Sequence, residues 1–357
     1  MRITVKNADL ARELALLEKI VGKKPTIPVL ANVLMQANAG GLLMSATDLE
    51  VGLIGACMAD VHEPGAVTLP AKKFMEIVRA QDGADLTLTT DTRGAVKFTS
   101  GKFLSRLQSL PAEDFPSLPS IDGHPSITIP RDQLKGAIAQ TRFSISEKDQ
   151  RYFLKGALLT LPADKLTIVS TDSKRISVTT IPRPGPEWES VLVPVEALDE
   201  LDALLSEAGT DDITFARSDR HIFFDLDGRL LISRQVDGKF PAWERIIPKA
   251  NEHVAQVERF PLISMLRRAI LINEIINVSF DTNTIDISAA SSDVGDGLES
   301  LPAVYAGPKI VCKFKGEYLI EWLNQAVGST VNIKLKDSES AALFVDGEYL
   351  NVIGVMK

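Results

Sequence analysis

The sequence predicts an α+β protein built from three repeated domains, each with two helices backed by antiparallel sheets. Its 357 residues exceed what one ordinary hydrophobic core supports, and they suit two or three domains. Strand patterns and amphipathic helix patterns recur in the same order three times along the chain. Short turns between the strands favour antiparallel pairing, with strands in one layer and helices in another.

The repeat is clearest between the first two copies. A separation of 124 positions joins Thr47 to Thr171, each of which begins a Thr-Asp pair. The same separation joins Pro70 to Pro194, each of which ends a strand pattern and precedes a helical one. A third copy is weaker and has its strand and helix patterns within 310–323. Matched positions at one separation are unlikely by chance, so we infer an internal repeat.

Each copy opens with a short strand and an amphipathic helix. In the first copy Leu10, Leu14, Leu17 and Ile20 recur at steps of three or four, as they would on one face of a helix. The predicted opening strands are 2–5, 126–129 and 255–259. The predicted helix starts are Asn7 with Asp9, Pro130 with Asp132, and Pro261.

A hairpin, a second helix and a closing run of strands complete each copy. In the first copy the hairpin strands are 32–36 and 42–45, joined by an Asn-Ala-Gly-Gly turn. The second helices are predicted at 71–79 and 195–205, and the closing strands of the first copy at 85–89, 95–98 and 103–107. The predicted domains are 1–120, 126–247 and 254–357, and linkers rich in turn-forming residues lie at 116–125 and 246–252.

Composition excludes several classes of protein. There is no signal-peptide pattern and no long apolar run, which predicts a cytoplasmic protein without a membrane span. Cys57 and Cys312 lie in apolar strand patterns and are expected to be buried free thiols. The net charge of −8 argues against a protein that coats nucleic acid with a basic surface. It does not exclude one that holds DNA by geometry.

No catalytic or metal-binding constellation rises above chance. His62, His124, His221 and His253 are dispersed and have no metal-ligand spacing. The Gly-Asp-Gly segment at 295–297 lacks the context of a phosphate-binding loop. The two Thr-Asp pairs stand at equivalent repeat positions, which suits a turn better than a unique active site. We therefore expect no enzyme activity, no cofactor and no metal.

Eight segments, taken in order, resemble the beta subunit of bacterial DNA polymerase III, the sliding clamp family. They span nearly the whole chain. Each motif alone is weak evidence for the resemblance. The eight together are strong evidence, because they occur in the same order and at the same separations as in the family. The segments are 24–34, 47–51, 62–66, 70–74, 109–116, 151–158, 171–176 and 236–248.

The resemblance implies a DNA sliding clamp, a processivity factor in which a head-to-tail dimer of three-domain subunits closes into a six-domain ring. Helices would line a hole that encircles double-stranded DNA without reading its sequence. Partners would be the replicative polymerase, the clamp loader and repair proteins, which dock through short linear motifs. Leu107, Ile270 and Leu271 are the candidates for the dimer seam.

Candidate DNA-facing residues are cations predicted on helices or facing the hole, together with two aromatic residues where the family touches DNA. They are Lys23, Lys24, Lys72, Lys73, Arg79, Arg131, Lys135, Arg142, Lys148, Tyr152, Phe153, Arg267 and Arg268. The second helix of domain two departs from this pattern, since it carries Glu196, Asp199, Glu200, Asp202 and Glu207 without a lysine or arginine. Whether that helix faces DNA stays open.

The resemblance also implies a hydrophobic cleft, between domains two and three, that binds partner motifs. Its residues would be Leu154, Thr171, Ser173, Lys174, Arg175, Ile176, Pro241, Arg245, Ile246, Glu339, Ala341, Val352, Ile353, Gly354, Val355 and Met356. Arg175 and Arg245 are expected at the rim. Ser173 and Lys174 replace a Gly-His pair that is common in the family, and the C-terminal residues 352–357 lack its usual Met-Pro-Met ending, so motif preference is expected to change.

Two other classes stay open. One is a repeat-built scaffold that binds proteins but no longer encircles DNA, which the acidic net charge favours. The other is a hydrolase or transferase on a triplicated frame, which no residue pattern supports. A core role for Leu154, Ile176 and Ile246 is the alternative to their place in the cleft.

Overall fold

The computed structural model describes residues 1–22, 25–91, 94–146, 149–183, 185–207 and 209–357. Over these residues it contains six α-helices and 25 β-strands, all paired antiparallel, which confirms the predicted α+β class and its three-fold repetition. The chain divides into two compact units, one of Met1–Asp132 with Glu196–Gln235 and the other of Gln133–Val195 with Val236–Lys357.

The first copy provides nine strands and two helices. The helices are α1 (Asn7–Ile20) and α2 (Ala71–Arg79). The strands are β1 (Arg2–Lys6), β2 (Asn32–Asn38), β3 (Gly41–Thr47), β4 (Val51–Cys57), β5 (Ala59–Glu63), β6 (Gly65–Pro70), β7 (Asp85–Thr90), β8 (Val96–Ser100) and β9 (Phe103–Leu107).

The second and third copies each provide eight strands and two helices. Their helices are α3 (Arg131–Arg142), α4 (Val195–Leu205), α5 (Arg259–Ala269) and α6 (Gly316–Gln325). Second-copy strands are β10 (Ser126–Pro130), β11 (Gly156–Leu161), β12 (Lys165–Thr171), β13 (Arg175–Pro182), β14 (Trp188–Pro194), β15 (Asp212–Arg217), β16 (His221–Leu226) and β17 (Arg229–Arg234). Third-copy strands are β18 (His253–Glu258), β19 (Ile275–Asp281), β20 (Thr284–Ser291), β21 (Gly295–Val304), β22 (Ile310–Lys315), β23 (Thr330–Leu335), β24 (Ala342–Asp346) and β25 (Tyr349–Ile353).

The first unit contains two sheets. One has the order β5-β1-β7-β8-β9, and the other β10-β15-β16-β17-β4-β3-β2-β6. Helix α1 packs on α2 and β4, and its predicted apolar residues Leu10, Leu14, Leu17 and Ile20 are all buried. Burying a leucine side chain contributes about 1.5–3 kcal/mol, so tertiary packing stabilises this helix, which has no side-chain N-cap.

The second unit contains one sheet, in the order β14-β11-β12-β13-β25-β24-β23-β18-β21-β20-β19-β22. Helix α5 packs on α6, above a core that includes Trp322, Phe314 and Phe344. The opening strand of this copy was predicted to include Arg259, but that residue begins α5 instead.

Each unit joins two copies by a strand pair, and the two pairs have equivalent registers. In the first unit β17 pairs with β4, so that Ser233 lies opposite Val51. In the second unit β25 pairs with β13, so that Ile353 lies opposite Arg175. We call these pairs the first and the second junction. A sheet therefore continues across each boundary between copies. Of the second copy's strands, β10 and β15–β17 belong to the first unit, and β11–β14 belong to the second.

Cys57 and Cys312 are buried free thiols, as predicted. Burial raises the pKa of each to about 11, so both stay protonated near neutral pH. None of the described helices has the length and hydropathy needed to cross a membrane.

Candidate functional site

The Thr-Asp pairs form two copies of one turn. In the second copy the Thr171 hydroxyl donates to the Arg175 carbonyl at 2.6 Å, and Asp172 Oδ1 accepts from the N–H groups of Lys174 at 2.9 Å and Arg175 at 3.0 Å. Ser173 has a left-handed φ of 73°. The turn therefore fixes the backbone and leaves the Ser173 and Lys174 side chains exposed.

The first copy has the same hydrogen bonds. The Thr47 hydroxyl donates to the Val51 carbonyl at 2.8 Å, and Asp48 Oδ1 accepts from the N–H groups of Glu50 and Val51. Leu49 takes the left-handed φ, at 81°. Both carboxylates are thus used to hold a turn, which is the role that the repeat predicted for them.

Arg175 is not a rim residue, which corrects the prediction. Only 7% of its surface is exposed. Its Nε donates to Asp172 at 3.0 Å, Nη2 donates to the Phe143 carbonyl at 2.6 Å, and Nη1 bonds Glu321. The guanidinium also stacks on the Tyr318 ring, 4.1 Å from its centroid. A buried cation needs paired charges and filled donors, and Arg175 obtains both inside the unit.

Several other predicted cleft residues are buried in the second unit and are not exposed at its surface. Leu154, Thr171, Ile176, Val352 and Ile353 are all buried. Ile176 and Val352 belong to an apolar cluster with Val169, Val178, Leu192, Phe240 and Leu343. The core role that we kept as an alternative is therefore correct for Leu154 and Ile176, while Ile246 is exposed.

The remaining predicted cleft residues lie at the surface of the second unit. Ser173, Lys174, Arg245, Ile246, Glu339 and Met356 are exposed, and Pro241, Ala341, Gly354 and Val355 are half-buried. Phe153 and Trp243 pack against the apolar cluster beneath them. Trp243 was missed as a site residue, although it stands inside the 236–248 segment that carried the resemblance.

The C-terminal residues are held against the turn. The Gly354 N–H donates to the Lys174 carbonyl at 3.0 Å, and the Met356 N–H donates to the Lys313 carbonyl at 2.8 Å. A Cβ at position 354 would lie 3.1 Å from the Lys174 carbonyl oxygen, which is a tight contact. Glycine therefore lets this segment approach the turn closely.

The candidate DNA-facing cations divide into three groups. Lys72, Lys73 and Arg79 are exposed on α2, and Lys73 pairs with Glu76 at 2.5 Å. Arg267 and Arg268 are exposed on α5, and Arg268 pairs with Glu299. Lys135 and Arg142 on α3 are half-buried. Lys23, Lys24 and Lys148 lie outside the described residues, and of the two aromatic candidates Tyr152 is exposed and Phe153 half-buried.

Arg131 does not face solvent, which is a second correction. It is 6% exposed, its Nε donates to the Thr210 carbonyl at 2.6 Å, and it also bonds the Glu207 carbonyl and Asp227. In the third copy Arg259 bonds the Leu323 and Ala326 carbonyls in the same way. A cation at the C-terminal end of a helix satisfies carbonyls that have no partner within the helix. Arg131 therefore caps α4.

The acidic residues of α4, and Glu207, which lies two residues beyond the end of the helix at Leu205, differ in exposure. Glu196 and Asp199 are exposed, while Glu200, Asp202 and Glu207 are half-buried. Burial raises the pKa of Glu200, and the charge of Lys19 partly opposes the shift. The structure thus places part of this carboxylate group against protein.

The seam candidates differ in exposure within the single chain. Leu107 is 8% exposed and faces the core. Its neighbours on β9, the last strand of its sheet, are open to solvent, with Phe103 44% and Leu104 62% exposed. Ile270 is half-buried and Leu271 is 78% exposed. Leu104 and Leu107 are an odd number of positions apart and so point to opposite faces of β9, and Leu104 is the exposed one of the two.

Within the described residues, no three histidine, cysteine or acidic side chains converge in a way that could hold a metal ion.

Comparison with known proteins agrees with this architecture over the whole chain. The N-terminal, central and C-terminal domains of the DNA polymerase III beta subunit match residues 1–119, 128–242 and 244–354. A beta sliding clamp of Salmonella typhimurium is 31% identical, over 97% of this chain and 96% of the relative. The chain belongs to the DNA polymerase III beta subunit family. The beta sliding clamp of Escherichia coli K12 is 30% identical with the same coverage.

Solved members of the beta subunit family have the same fold. The DNA polymerase III subunit beta from Pseudomonas aeruginosa is 27% identical, with a TM-score of 0.94 over 100% of both chains. A sliding clamp from Bartonella birtlesii, bound to griselimycin, is 29% identical, with a TM-score of 0.94 over 100% of this chain and 99% of that one. The three-domain sliding-clamp fold is therefore shown for this member of the family.

Proposed function

We propose that the protein is a DNA sliding clamp, in which two copies close head to tail into a ring around duplex DNA and tether DNA-processing proteins. Membership of the beta subunit family over the full length supports this function. The main support for a ring is a third junction between copies. The repeat predicts this strand pair, but its two strands do not pair with each other within one chain. The proposed domains are residues 1–120, 126–247 and 254–357.

The two junctions inside the chain follow one rule. The last strand of a copy, β17 or β25, pairs with the fourth strand of the preceding copy, β4 or β13. The strands left over are β9, which ends the first copy, and β21, which is the fourth strand of the last copy. Strand β9 is a free sheet edge, and most of β21 has a partner on one side only. A second copy of the chain would supply hydrogen-bond partners for the unpaired backbone groups of both strands. Two copies joined head to tail through two such contacts form a closed ring.

Equivalent positions predict the register of the third junction. In the first junction Leu230 lies opposite Ile54. Leu104 of β9 holds the position of Leu230, and Leu298 of β21 holds that of Ile54. Both are more than 60% exposed in the single chain, and we place them opposite each other across the seam. Within the single chain, Arg106 Nε lies 3.6 Å from Asp91 Oδ2. Across the seam, Arg106 would face Asp296 of the second copy instead.

The first residue of each closing strand gives independent support. Arg229 and Tyr349 hold this position in the two internal junctions, and both are buried. Phe103 holds it in β9 and is half exposed. A pocket on the third domain is lined by Met265, Ala269, Ile272, Ile287 and Leu298, among others, and its apolar walls suit a phenylalanine ring. We place the Phe103 ring of one copy in this pocket of the next.

DNA contact is proposed through Lys72, Lys73, Arg79 and Arg267, which are exposed on helices. These side chains suit phosphates, which carry no sequence information, and so allow sliding. Lys135, Arg268 and Phe153 stay weaker candidates because they are half-buried, ion-paired and packed against the apolar cluster, respectively. Tyr152 is exposed but carries no positive charge, so it is a weaker candidate as well. The acidic α4 would repel phosphate, so we place the duplex against the other helices.

Partner docking is proposed on the second unit, at the cleft formed by the exposed residues Ser173, Lys174, Arg245, Ile246 and Met356 over the apolar cluster. An extended segment of the replicative polymerase, the clamp loader or a repair protein would insert apolar anchors there. We propose a cytoplasmic protein without catalytic activity of its own.

Solution mass and retention on DNA test the proposal. We expect a dimer of twice 38.8 kDa at micromolar concentration. After loading by a clamp loader, it should stay on nicked circular DNA and leave when the circle is cut. A stable monomer would refute the ring. A dimer that binds partner peptides but never stays on circles would favour the scaffold alternative.

A further inference from the structure

The first copy has a row of cations on the exposed face of its sheet β5-β1-β7-β8-β9. Arg2 lies opposite Thr89, Thr89 lies opposite Lys97, and Lys97 lies opposite Arg106. The three cations are exposed and Thr89 is half-buried. We call these four residues, which stand on β1, β7, β8 and β9, the cation row.

The equivalent row of the second copy is mostly apolar and is covered. In strand order its residues are Ser126, Ala216, Phe223 and Ile232. Leu118 and Ile121 of the linker pack against the last three, which are at most 3% exposed. The His124 ring also stacks on the ring of Phe223, with 5.5 Å between their centroids. A segment of the chain therefore lies over this row.

The equivalent row of the third copy is covered in part. In strand order its residues are Val254, Lys334, Leu343 and Val352. Leu343 and Val352 are buried in the apolar cluster, and Trp243 and Ile247 pack against that cluster. Two of the three copies thus bury apolar side chains of this row under a chain segment, whereas the first copy exposes charges there.

The charges of the cation row are poorly compensated within the chain. Lys97 and Arg106 are like charges directly opposite each other on neighbouring strands, which is an unfavourable arrangement. Asp91 lies 3.6 Å from Arg106 and offsets part of this charge. Glu63 stands opposite Arg2 on β5. Even so, among the residues that the structure describes, no carboxylate lies within 4 Å of the Arg2 or Lys97 cation.

A row of hydroxyl groups runs beside the cations. Thr4 lies opposite Thr87, and Thr87 lies opposite Thr99. The Thr4 and Thr87 hydroxyl oxygens are 3.3 Å apart, and Thr4 Oγ1 is 3.1 Å from His62 Nε2. Cations and hydroxyls together suit a ligand that is anionic and accepts hydrogen bonds, and they do not suit an apolar segment.

We propose that the cation row binds an acidic, extended segment of a partner protein, which lies over the first copy as chain segments lie over the other two. Carboxylates of that segment pair with Arg2 and Lys97, and the Thr89 hydroxyl between them donates a further hydrogen bond. Arg106 is left to the seam. This surface shares no residue with the partner cleft, so the inference does not depend on the function proposed for the cleft.

The expected effect on affinity is moderate because both cations are exposed. One exposed ion pair changes Kd by up to about fivefold, and we expect two such pairs to change it by about tenfold. Salt screens exposed charges, so the effect should shrink as ionic strength rises.

Fluorescence anisotropy with the full-length protein tests the proposal. One labelled peptide would have aspartate at every second position, and its control would have asparagine at the same positions. We expect the aspartate peptide to bind about tenfold more tightly than the asparagine peptide at about 50 mM salt. The difference should largely disappear at about 0.5 M salt.

Two variants and one control assign the effect to the cation row. Arg2→Glu and Lys97→Glu should each weaken binding of the aspartate peptide by about fivefold or more. Lys97→Glu also replaces the like-charge pair with Arg106 by an opposite-charge pair, so its melting temperature should equal or exceed that of the parent. Lys165→Glu makes the same change of charge at the start of β12 and should bind as the parent does.

The remaining outcomes decide between a protein segment and nucleic acid. Equal binding of the two peptides by the parent protein, or an aspartate preference that survives in both variants, overturns the proposal. Single-stranded oligothymidine is the third probe. If it displaces the aspartate peptide and binds more tightly than that peptide, and if Lys97→Glu weakens it, the row binds nucleic acid and the proposed acidic segment is refuted. Failure of oligothymidine to displace the peptide supports the proposal.

Discussion

The two junctions have one backbone and two different sets of side chains. Both use a Thr-Asp turn, a left-handed residue and the same strand register. The first is held by a buried pair in which Arg229 donates to both oxygens of Glu13, at 2.9 Å and 2.6 Å. The second is held by Arg175, which bonds Asp172 and Glu321. The repeat therefore fixes where strands meet, and side chains decide what each junction can do.

The junctions also differ in how they are filled. At the first, Gly52 leaves space for Leu118 of the linker, whose Cδ2 lies 3.0 Å from where a Cβ would stand. At the second, Ile176 stands at the equivalent position, and the exposed Ile246 and Met356 remain beside the cluster. The same turn thus stands beside a filled junction in the first unit and beside exposed apolar side chains in the second.

The largest expected effect comes from breaking the ion pair of the first junction. Glu13→Ala leaves the buried Arg229 without a counter-charge and should lower the free energy of unfolding by about 3–5 kcal/mol. Urea denaturation at neutral pH measures this. The double variant Glu13→Leu with Arg229→Leu should recover most of the loss, and a single variant as stable as the parent would contradict the argument.

The third junction extends the comparison to the seam. Phe103→Ala should raise the Kd of the dimer by about 100-fold, since a buried aromatic residue at the centre of an interface contributes about 2–4 kcal/mol. Sedimentation velocity over a range of concentrations measures the change. Phe103 is partly exposed in the single chain, so the thermal unfolding of the monomer should change little. An unaltered dimer would place the seam elsewhere.

Arg175→Met tests the second junction. The variant removes a cation that bonds two carboxylates and the Phe143 carbonyl, and it should cost about 2–3 kcal/mol of stability. Urea denaturation at neutral pH measures the loss, and a loss of less than about 0.5 kcal/mol would mean that the network of Arg175 contributes little.

The left-handed residues of the two turns give a smaller effect. Leu49→Gly should stabilise the protein by up to about 1 kcal/mol, because glycine adopts a positive φ without steric cost. Ser173→Gly should gain less, since it also removes the hydroxyl that accepts from Arg151. Melting temperatures of the two variants, compared with the parent, would show whether this order holds.

The pH dependence of α4 is the smallest effect. Burial raises the pKa of Glu200, so the folded chain favours its protonated form. Stability from this group is present at low pH and is lost as the pH rises through the folded pKa. Glu200→Gln should therefore be slightly more stable than the parent at about pH 7, with the difference vanishing at about pH 4. Denaturation at both pH values measures it.

The regular parts of the fold could be predicted from the sequence. The spacing of Leu10, Leu14 and Leu17 specified α1, and the helix starts predicted from Asn7, Pro130 and Pro261 lie within two residues of those observed. The separation of the Thr-Asp pairs identified two equal turns. Periodicity and repeats are properties of the chain itself, so they can be read without knowing which residues meet in space.

Burial and pairing depended on the tertiary structure. Arg131 and Arg175 resembled surface cations in the sequence, but one caps α4 and the other bonds carboxylates from two elements. Leu107 and Leu104 differ in sequence position by an odd number and so lie on opposite faces of β9, where only the second is exposed. The sequence by itself determined the repeat, the elements and the family. Only the three-dimensional packing decided which charges are neutralised, because partners such as Asp227 and Glu321 lie far away along the chain.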